Sequence, residues 1–495
     1  MTPAALSLAL LLTSAESLPD AGAAPVPIDQ VDQVDSASSA SVADHPPVNV
    51  QSEADATSDD EAPTDSAAAA TNDRDVPLFG EQSTRPAPAA EVLTLAKAIE
   101  TALVSNIETK IAGGQSKAAR AEALSSRSGL LPQVGLNASY DLSFDVPYGR
   151  ANELNQNFNA SLSADQLIFD FGRTRKRWHA SRAKARATEQ SELATRQAVV
   201  LNVRLAFLDV LETRALVEVG RKTLENNERH LAQTEALVEA GTRPTIDLVK
   251  LRSEVAAAKA SLIQAEGNER VARAELGFAM GQPLSPSVEI AEESFAPLTF
   301  ETLPTRKLFE KSLDRRPEFA SQRATIQASA LQLEASEKNL WPALYAGAGL
   351  GWSWQRFTEP FVSASIGLRL SWQFFDGLGN RGIEEAARAN LSVEELRLKL
   401  QEQQIYTAIE EASLNVAAAQ SSLEAMEEAL LAANELLRSA EERYAAGVGS
   451  IIELTDAQFD VAEAESKRVR SHYALAAARA NLLQAVGVEA WGESL

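Results

Sequence analysis

The 495-residue chain has no cysteine. Disulfides, thiolate metal sites and cysteine nucleophiles are thereby excluded, as is an N-terminal lipid carried on cysteine. Histidine is scarce as well. His45, His179, His230 and His472 are scattered, and no two stand at the i, i+4 spacing of a helical metal pair. Aromatic residues make up only 6%, which favours long, closely packed helices over a wide globular core. No run of about 18 apolar residues occurs, so no segment reads as a membrane-spanning α-helix. Phosphate loops and nucleophile motifs are missing too, and the expectation is a protein without catalytic site, cofactor or metal ion.

Positive charge is also sparse at the start. Residues 1–91 hold 16 Asp and Glu against 2 Lys and Arg, which accounts for −14 of the net −23 and leaves −9 for the other 404 residues. This balance argues against nucleic acid as a partner. The apolar run Ala4–Leu12 followed by Thr13-Ser14-Ala15 resembles an export signal, taken here as residues 1–24, although no Lys or Arg precedes Arg74. Residues 25–91, rich in Asp, Ala, Ser and Pro, have too little apolar surface to offset their ordering entropy and read as a disordered acidic leader.

What the rest of the chain does have is a repeat. Phe169-Asp170 recurs as Phe375-Asp376, Ala240-Gly241 as Ala446-Gly447, and Gly281 as Gly487, each 206 residues on. Two structural units are therefore expected, over residues 92–290 and 303–489, with a linker at 291–302 and a tail at 490–495. Each unit opens with a helical stretch ending before a proline, Thr94–Leu131 before Pro132 and Thr305–Trp341 before Pro342, because the residue ahead of proline disfavours helix. Gly113-Gly114 is the expected break in the first.

The period then changes to two. Val134, Leu136, Ala138, Tyr140, Leu142 and Phe144 alternate with polar residues, as do Phe158, Ala160, Leu162 and Ala164. The second unit repeats the alternation from Leu344 to Trp354 and from Val362 to Phe374. Four strands in two hairpins follow, at about 133–144, 157–169, 343–356 and 361–375. Their length matches the roughly 9–11 residues of a transmembrane β-strand, and Trp352, Trp354 and Trp372 suit an interfacial girdle. A soluble sandwich alternates equally well; strand length, tryptophan placement and the export signal favour the membrane. Four strands cannot close a barrel, and an open edge is not tolerated in lipid, so copies must share one.

A long helix follows each hairpin, over Arg173–Glu239 and Asn380–Ala445, each roughly 100 Å at helical rise. Val203, Val210, Val217, Leu224, Leu231 and Val238 form a seven-residue stripe, and it recurs 206 residues later from Ile409 to Tyr444. That is the coiled-coil period. Gly241 and Gly447 end these helices, Asp247 and Glu453 lie in the first turns of returning helices Thr245–Met280 and Ile451–Val486, and these are half the length. Two half-length helices end to end match one long helix in height. The fold class is thus mainly α with a small β part.

The ordered set LxxAxxxAL at Leu95–Leu103, Leu131-Pro132-Gln133, Phe169–Arg173, Ala240–Leu248 and Arg443–Gln458 resembles the TolC-type outer membrane efflux protein family over roughly 400 residues. The resemblance implies a homotrimer with a 12-stranded outer-membrane β-barrel, set in outer-membrane lipid, that continues as an α-helical barrel in the periplasm. It implies a passive exit duct for efflux or type I secretion that docks a periplasmic adaptor and an inner-membrane transporter, with tips that close like an iris. Carried over by position, Glu453 and Asp456 ring the constriction, Tyr444 belongs to the closing network, and Asp247 pairs with it. The chain departs at Gly449, where a relative carries arginine, so no arginine latch is carried over at that turn. Gly241, Thr242, Gly447 and Val448 are the candidates for adaptor docking; plain helix capping explains the glycines equally, and helix-start charge explains the carboxylates. The rival reading is a non-channel coiled-coil envelope protein with a soluble β-domain. A periplasmic adaptor, with one helical hairpin and a lipoyl-like β-domain, does not fit two such repeats.

Overall fold

A computed structural model describes residues 92–145, 153–293, 295–355 and 359–488. The expected signal, acidic leader and tail lie outside these residues, as do the tips of both β-hairpins. All described residues belong to one compact unit, Thr84–Leu495.

The first repeat runs β1 (Val92–Leu93), α1 (Leu95–Ser105), α2 (Ile107–Ser128), β2 (Gln133–Asp145), β3 (Glu153–Phe169), α3 (Arg173–Glu239) and α4 (Thr245–Met280). After β4 (Glu289–Ile290) the second runs α5 (Thr305–Ser312), α6 (Pro317–Ser336), β5 (Ala343–Gln355), β6 (Glu359–Ser371), α7 (Gly379–Ala445) and α8 (Ile451–Val486). The long helices α3 and α7 have 67 residues each and the returning helices 36 each. Both repeats thus have the helix lengths read from the seven-residue stripe and the glycine stops. The strand β6 ends at Ser371, short of the apolar alternation that continues to Phe374.

The expected break at Gly113-Gly114 is not there. Helix α2 runs through both glycines, and neither has a positive φ. The chain breaks instead at Asn106, whose side-chain oxygen caps α2 by accepting from the Glu108 backbone N–H at 2.7 Å. Its amide donates to the Ala279 carbonyl at 2.9 Å, so one residue both ends α1 and meets the end of α4. A glycine in a helix interior costs only about 1 kcal/mol, which the packing of α2 along α3 offsets. In the second repeat the break falls at Leu313–Arg316, ahead of Pro317 at the first position of α6.

Gly281 and Gly487, two of the repeat landmarks, are the C-caps of α4 and α8, with φ of +74° and +79°. A Cβ at Gly281 would lie 2.6 Å from the Asn106 Cα, so the end of α4 abuts the start of α2. Arg316 marks the matching seam, donating to the Gln484 carbonyl at 3.1 Å. The half-length helices do stack end to end beside α3 and α7. The stripe is buried near these seams, where Val203, Val210, Val217, Ile409 and Val416 are 5% exposed or less, and again at its far end, where Tyr444 is buried. Val203, Val210, Ile409 and Val416 anchor two separate cores, one per repeat, with Phe207 and Leu276 in the first and Phe319 and Leu482 in the second. The two-residue parallel ladder β1–β4 closes the first of them.

A second landmark, Phe-Asp, is the joint between strand and long helix. The Asp170 carboxylate accepts from the backbone N–H of Gly172 and Thr174 and from the Thr174 hydroxyl, and Asp376 accepts from the Asn380 N–H. Two consecutive residues at each joint are left-handed: Phe171 and Gly172 in the first repeat, Gly377 and Leu378 in the second. Each repeat places glycine at one of the two positions and a side chain under strain at the other.

The strands form one antiparallel sheet in the order β2-β3-β5-β6. Directly paired residues share a face. One row reads Leu136, Leu162, Leu350, Ala364, and the next Val134, Ala164, Ala348, Ile366. The opposite face carries rows such as Asn137, Ser161, Gly351, Ser363. The apolar face is uncovered: Leu136 is 72% exposed and Ile366 91%. At its helical end Phe169, Phe171 and Trp341 stack at 4.5–4.7 Å between ring centres. The outer strands β2 and β6 each leave one edge unpaired within the chain.

Candidate functional site at the helical tips

The α3–α4 and α7–α8 turns lie at the end of the long helices farthest along the chain from the sheet. Each long helix stops by the same device. Ala240 and Ala446 are the C-caps, and Gly241 and Gly447 follow with φ of +73° and +79°. Their N–H groups, and those of Thr242 and Val448, return to carbonyls of the last turn. Thr242 adds a 2.7 Å hydroxyl bond to the Leu237 carbonyl. A Cβ at Gly241 or Gly447 would meet nothing, and Val448 is 71% exposed, so this rim is open.

Tyr444 and Asp247 come together. The Tyr444 hydroxyl donates to Asp247 Oδ2 at 3.3 Å, and both side chains are buried. Asp247 belongs to the first turn of α4 and Tyr444 to the last turn of α7, so this bond joins the two repeats. Around them Ala440, Leu454 and Ala457 form a small apolar core.

An arginine does meet Tyr444, but it comes from the other turn. The Arg243 guanidinium lies 4.0 Å from the Tyr444 ring centre, donates to the Tyr444 carbonyl and reaches the Gly449 carbonyl at 3.5 Å. Gly449 itself has no room for a side chain, since a Cβ there would stand 2.9 Å from the Tyr444 backbone nitrogen. The sequence offers Arg243 only as part of Ala240–Leu248; its partners, about 200 residues away, supply no local signal.

Glu453 and Asp456 are exposed on α8, as charges at a helix start are. Neither is free of positive neighbours. Glu453 pairs with Arg443 at 3.0 Å, and the Ser450 hydroxyl caps the helix by accepting from its N–H at 3.2 Å. The Asp456 charge also acts on Lys250 of α4, whose pKa is raised first by its 2.6 Å bond to Glu254 and less by Asp456. Among the described residues no group of three or more His, Cys, Asp or Glu side chains is arranged to hold a metal ion.

Comparison with known proteins places this geometry. The family described as outer membrane efflux protein matches residues 98–282 and 308–488. The pyoverdine export outer membrane protein OpmQ of Pseudomonas aeruginosa is 24% identical over 407 residues, covering 79% of this chain and 84% of that protein. The outer membrane protein TolC of Escherichia coli is 22% identical over 412 residues, covering 79% and 82%. Among solved structures, a crystal structure of CusC superposes with a TM-score of 0.71 at 18% identity, covering 80% of this chain and 92% of that one.

Proposed function

The chain belongs to the outer membrane efflux protein family, and from that premise we propose that three copies form the passive exit duct of a tripartite efflux or type I secretion system. The observation that carries this reading is the uncovered, amphipathic sheet with two open edges, set on helices of about 100 Å. Four strands per copy give twelve in a trimer, which removes every edge and turns the Leu136 and Ile366 rows toward outer-membrane lipid. The polar rows then line a wet lumen, and α2 to α8 extend it as a helical barrel in the periplasm. Residues 92–290 and 303–489 supply one hairpin and one long helix each.

At the tips, three copies of Glu453 and Asp456 surround one axis and favour cations there. Tyr444, Asp247 and Arg243 hold the two turns of each copy together in the closed state. Gly241, Thr242, Gly447 and Val448 form the open rim offered to a periplasmic adaptor, which connects the duct to an inner-membrane transporter. Cell fractionation with unheated and heated electrophoresis tests the core of the reading. A heat-modifiable trimer in the outer-membrane fraction is expected; a soluble monomer would rule the duct out.

A further inference from the structure

The second repeat builds its long helix without the charge found at the top of α3. Residues 173–188 carry seven Lys and Arg and no Asp or Glu, in a chain of net charge −23. The matching part of α7 is balanced: Arg381 pairs with Glu385 at 3.2 Å and Arg388 with Glu384 at 2.7 Å. The excess is therefore a property of one repeat.

Its geometry is convergent. Arg182 on α3 and Arg127 in the last turn of α2 both stack over the Trp178 ring, at 5.3 and 5.9 Å from its centre. Arg175 stands seven residues before Arg182, on the same face, and contacts His179 at 3.4 Å. All three guanidinium groups are exposed, and none has a carboxylate partner among the described residues. His179, between them, is held below its ordinary pKa by burial and then by Arg175, Arg182, Lys176 and Arg186, with no acidic group opposing. Like charges gathered on one indole repel one another, and an anion between them would offset that repulsion.

The position bears on which anion these groups would meet. Arg175 follows Phe169 by six residues, directly beyond the Phe169–Phe171–Trp341 cluster where the uncovered apolar face ends. Arg182 lies about 14 Å below the start of α3 by helical rise, and long basic side chains reach back toward a membrane surface. Tryptophan is favoured at the same depth. Helix α3 is flanked inside the chain by α2, through Arg120–Glu189, and by α6, through Lys176–Glu334, so closing a trimer leaves this face of α3 open. We infer that Arg127, Arg175 and Arg182, with Trp178, bind the phosphate of an anionic phospholipid headgroup in the periplasmic leaflet of the outer membrane. This rests on the membrane-barrel reading above.

The test uses the purified full chain in detergent, titrated with phosphatidylglycerol or phosphatidylethanolamine and read by native mass spectrometry. The wild-type trimer is expected to retain phosphatidylglycerol in preference. The Arg127→Gln, Arg175→Gln, Arg182→Gln triple variant is expected to lose that preference by on the order of tenfold, while the Lys triple variant restores it and Arg381→Gln with Arg388→Gln leaves it unchanged. Lipid retention that survives excess inorganic phosphate supports a headgroup site; displacement by phosphate alone overturns the lipid assignment. Equal retention by wild type and Gln variant overturns the proposal, and so does a Gln variant that changes only the ion selectivity of the channel, which would turn the arginines toward the lumen. Failure of the wild-type chain to give a trimer would appear in the same spectra and would overturn the duct reading itself, and with it this inference.

Discussion

Arg243 lies with its guanidinium carbon 4.0 Å from the centre of the Tyr444 ring, across the gap between the two tip turns. The ring is held on both sides of its chemistry, by a cation on its π-face and by the Asp247 carboxylate at its hydroxyl. Position 449 in the second turn has no room for a side chain, and the cation on this ring comes from the first turn. Arg243→Ala should release roughly 2 kcal/mol from this tie. Single-channel recordings in planar bilayers should show a higher open probability or conductance than wild type. Tyr444→Phe, which keeps the ring and loses one hydrogen bond, should have a smaller effect. Equal behaviour of Arg243→Ala and wild type would remove the latch.

The carboxylates make a second prediction with a built-in contrast. Glu453→Ala plus Asp456→Ala should weaken block of the current by divalent cations. Arg443 neutralises Glu453 from 3.0 Å, so Arg443→Ala should strengthen that block. The two variants should therefore move the blocking concentration in opposite directions; movement in the same direction would separate the block from these charges.

Two glycines with the same backbone conformation should differ in cost. Gly241 and Gly281 have φ of +73° and +74°. Gly241 faces open space, so Gly241→Ala should cost about 1 kcal/mol for the left-handed conformation alone. At Gly281 a Cβ would meet the Asn106 backbone at 2.6 Å, and Gly281→Ala should cost roughly 2–4 kcal/mol through displacement of the α2 start. Thermal unfolding of the two variants compares them, and a similar fall in Tm would deny that the seam is tightly fitted.

Acid should loosen the helices through their histidines. His230, 3.5 Å from Glu441 on α7, is held below its ordinary value by burial, although Glu441 acts the other way; His472 is lowered by burial and by Arg468 and Arg479. Imidazoles with lowered pKa take up protons more readily in the unfolded chain. Their contribution to stability is complete above about pH 6.5 and is lost as pH falls through the lower folded values. Asp209 and the half-buried Glu212, whose pKa values are raised by desolvation and by a neighbouring carboxylate, act in the opposite sense. His230→Gln with His472→Gln should flatten the decline of Tm between about pH 7 and pH 5. An unchanged slope would assign the decline to other groups.

The long elements were legible because their signals are local and repeated. Gly241, Gly281, Gly447 and Gly487 fix the ends of α3, α4, α7 and α8, since each must be left-handed. Alternation over Gln133–Asp145 and Ala343–Gln355 states which face is apolar without any contact being known. What was not legible depends on distant partners. Asn106 is an ordinary polar residue until Ala279 and Gly281 are placed against it, and Gly113-Gly114 has the composition of a break but lies on a packed helix. The α5–α6 break did carry a signal, Pro317, which the longer helical period concealed. Tyr444 and Asp247 were reached by family position, whereas Arg243 needed the fold. The Arg443 and Lys250 neighbours of the carboxylates also emerge only when α4, α7 and α8 are side by side.

The seams at Asn106–Gly281 and Arg316–Gly487 also decide how load travels. Abutting helix ends resist compression but transmit little tension, because the hydrogen bonds named across them are single side-chain bonds, Asn106 to Ala279 and Arg316 to Gln484. Helices α3 and α7 run unbroken past the seams as splints. A pull applied at the tips is carried to the sheet by α3 and α7, while a twist is relieved at the joints of the other helices. The tip half can thus turn without prying the strands apart.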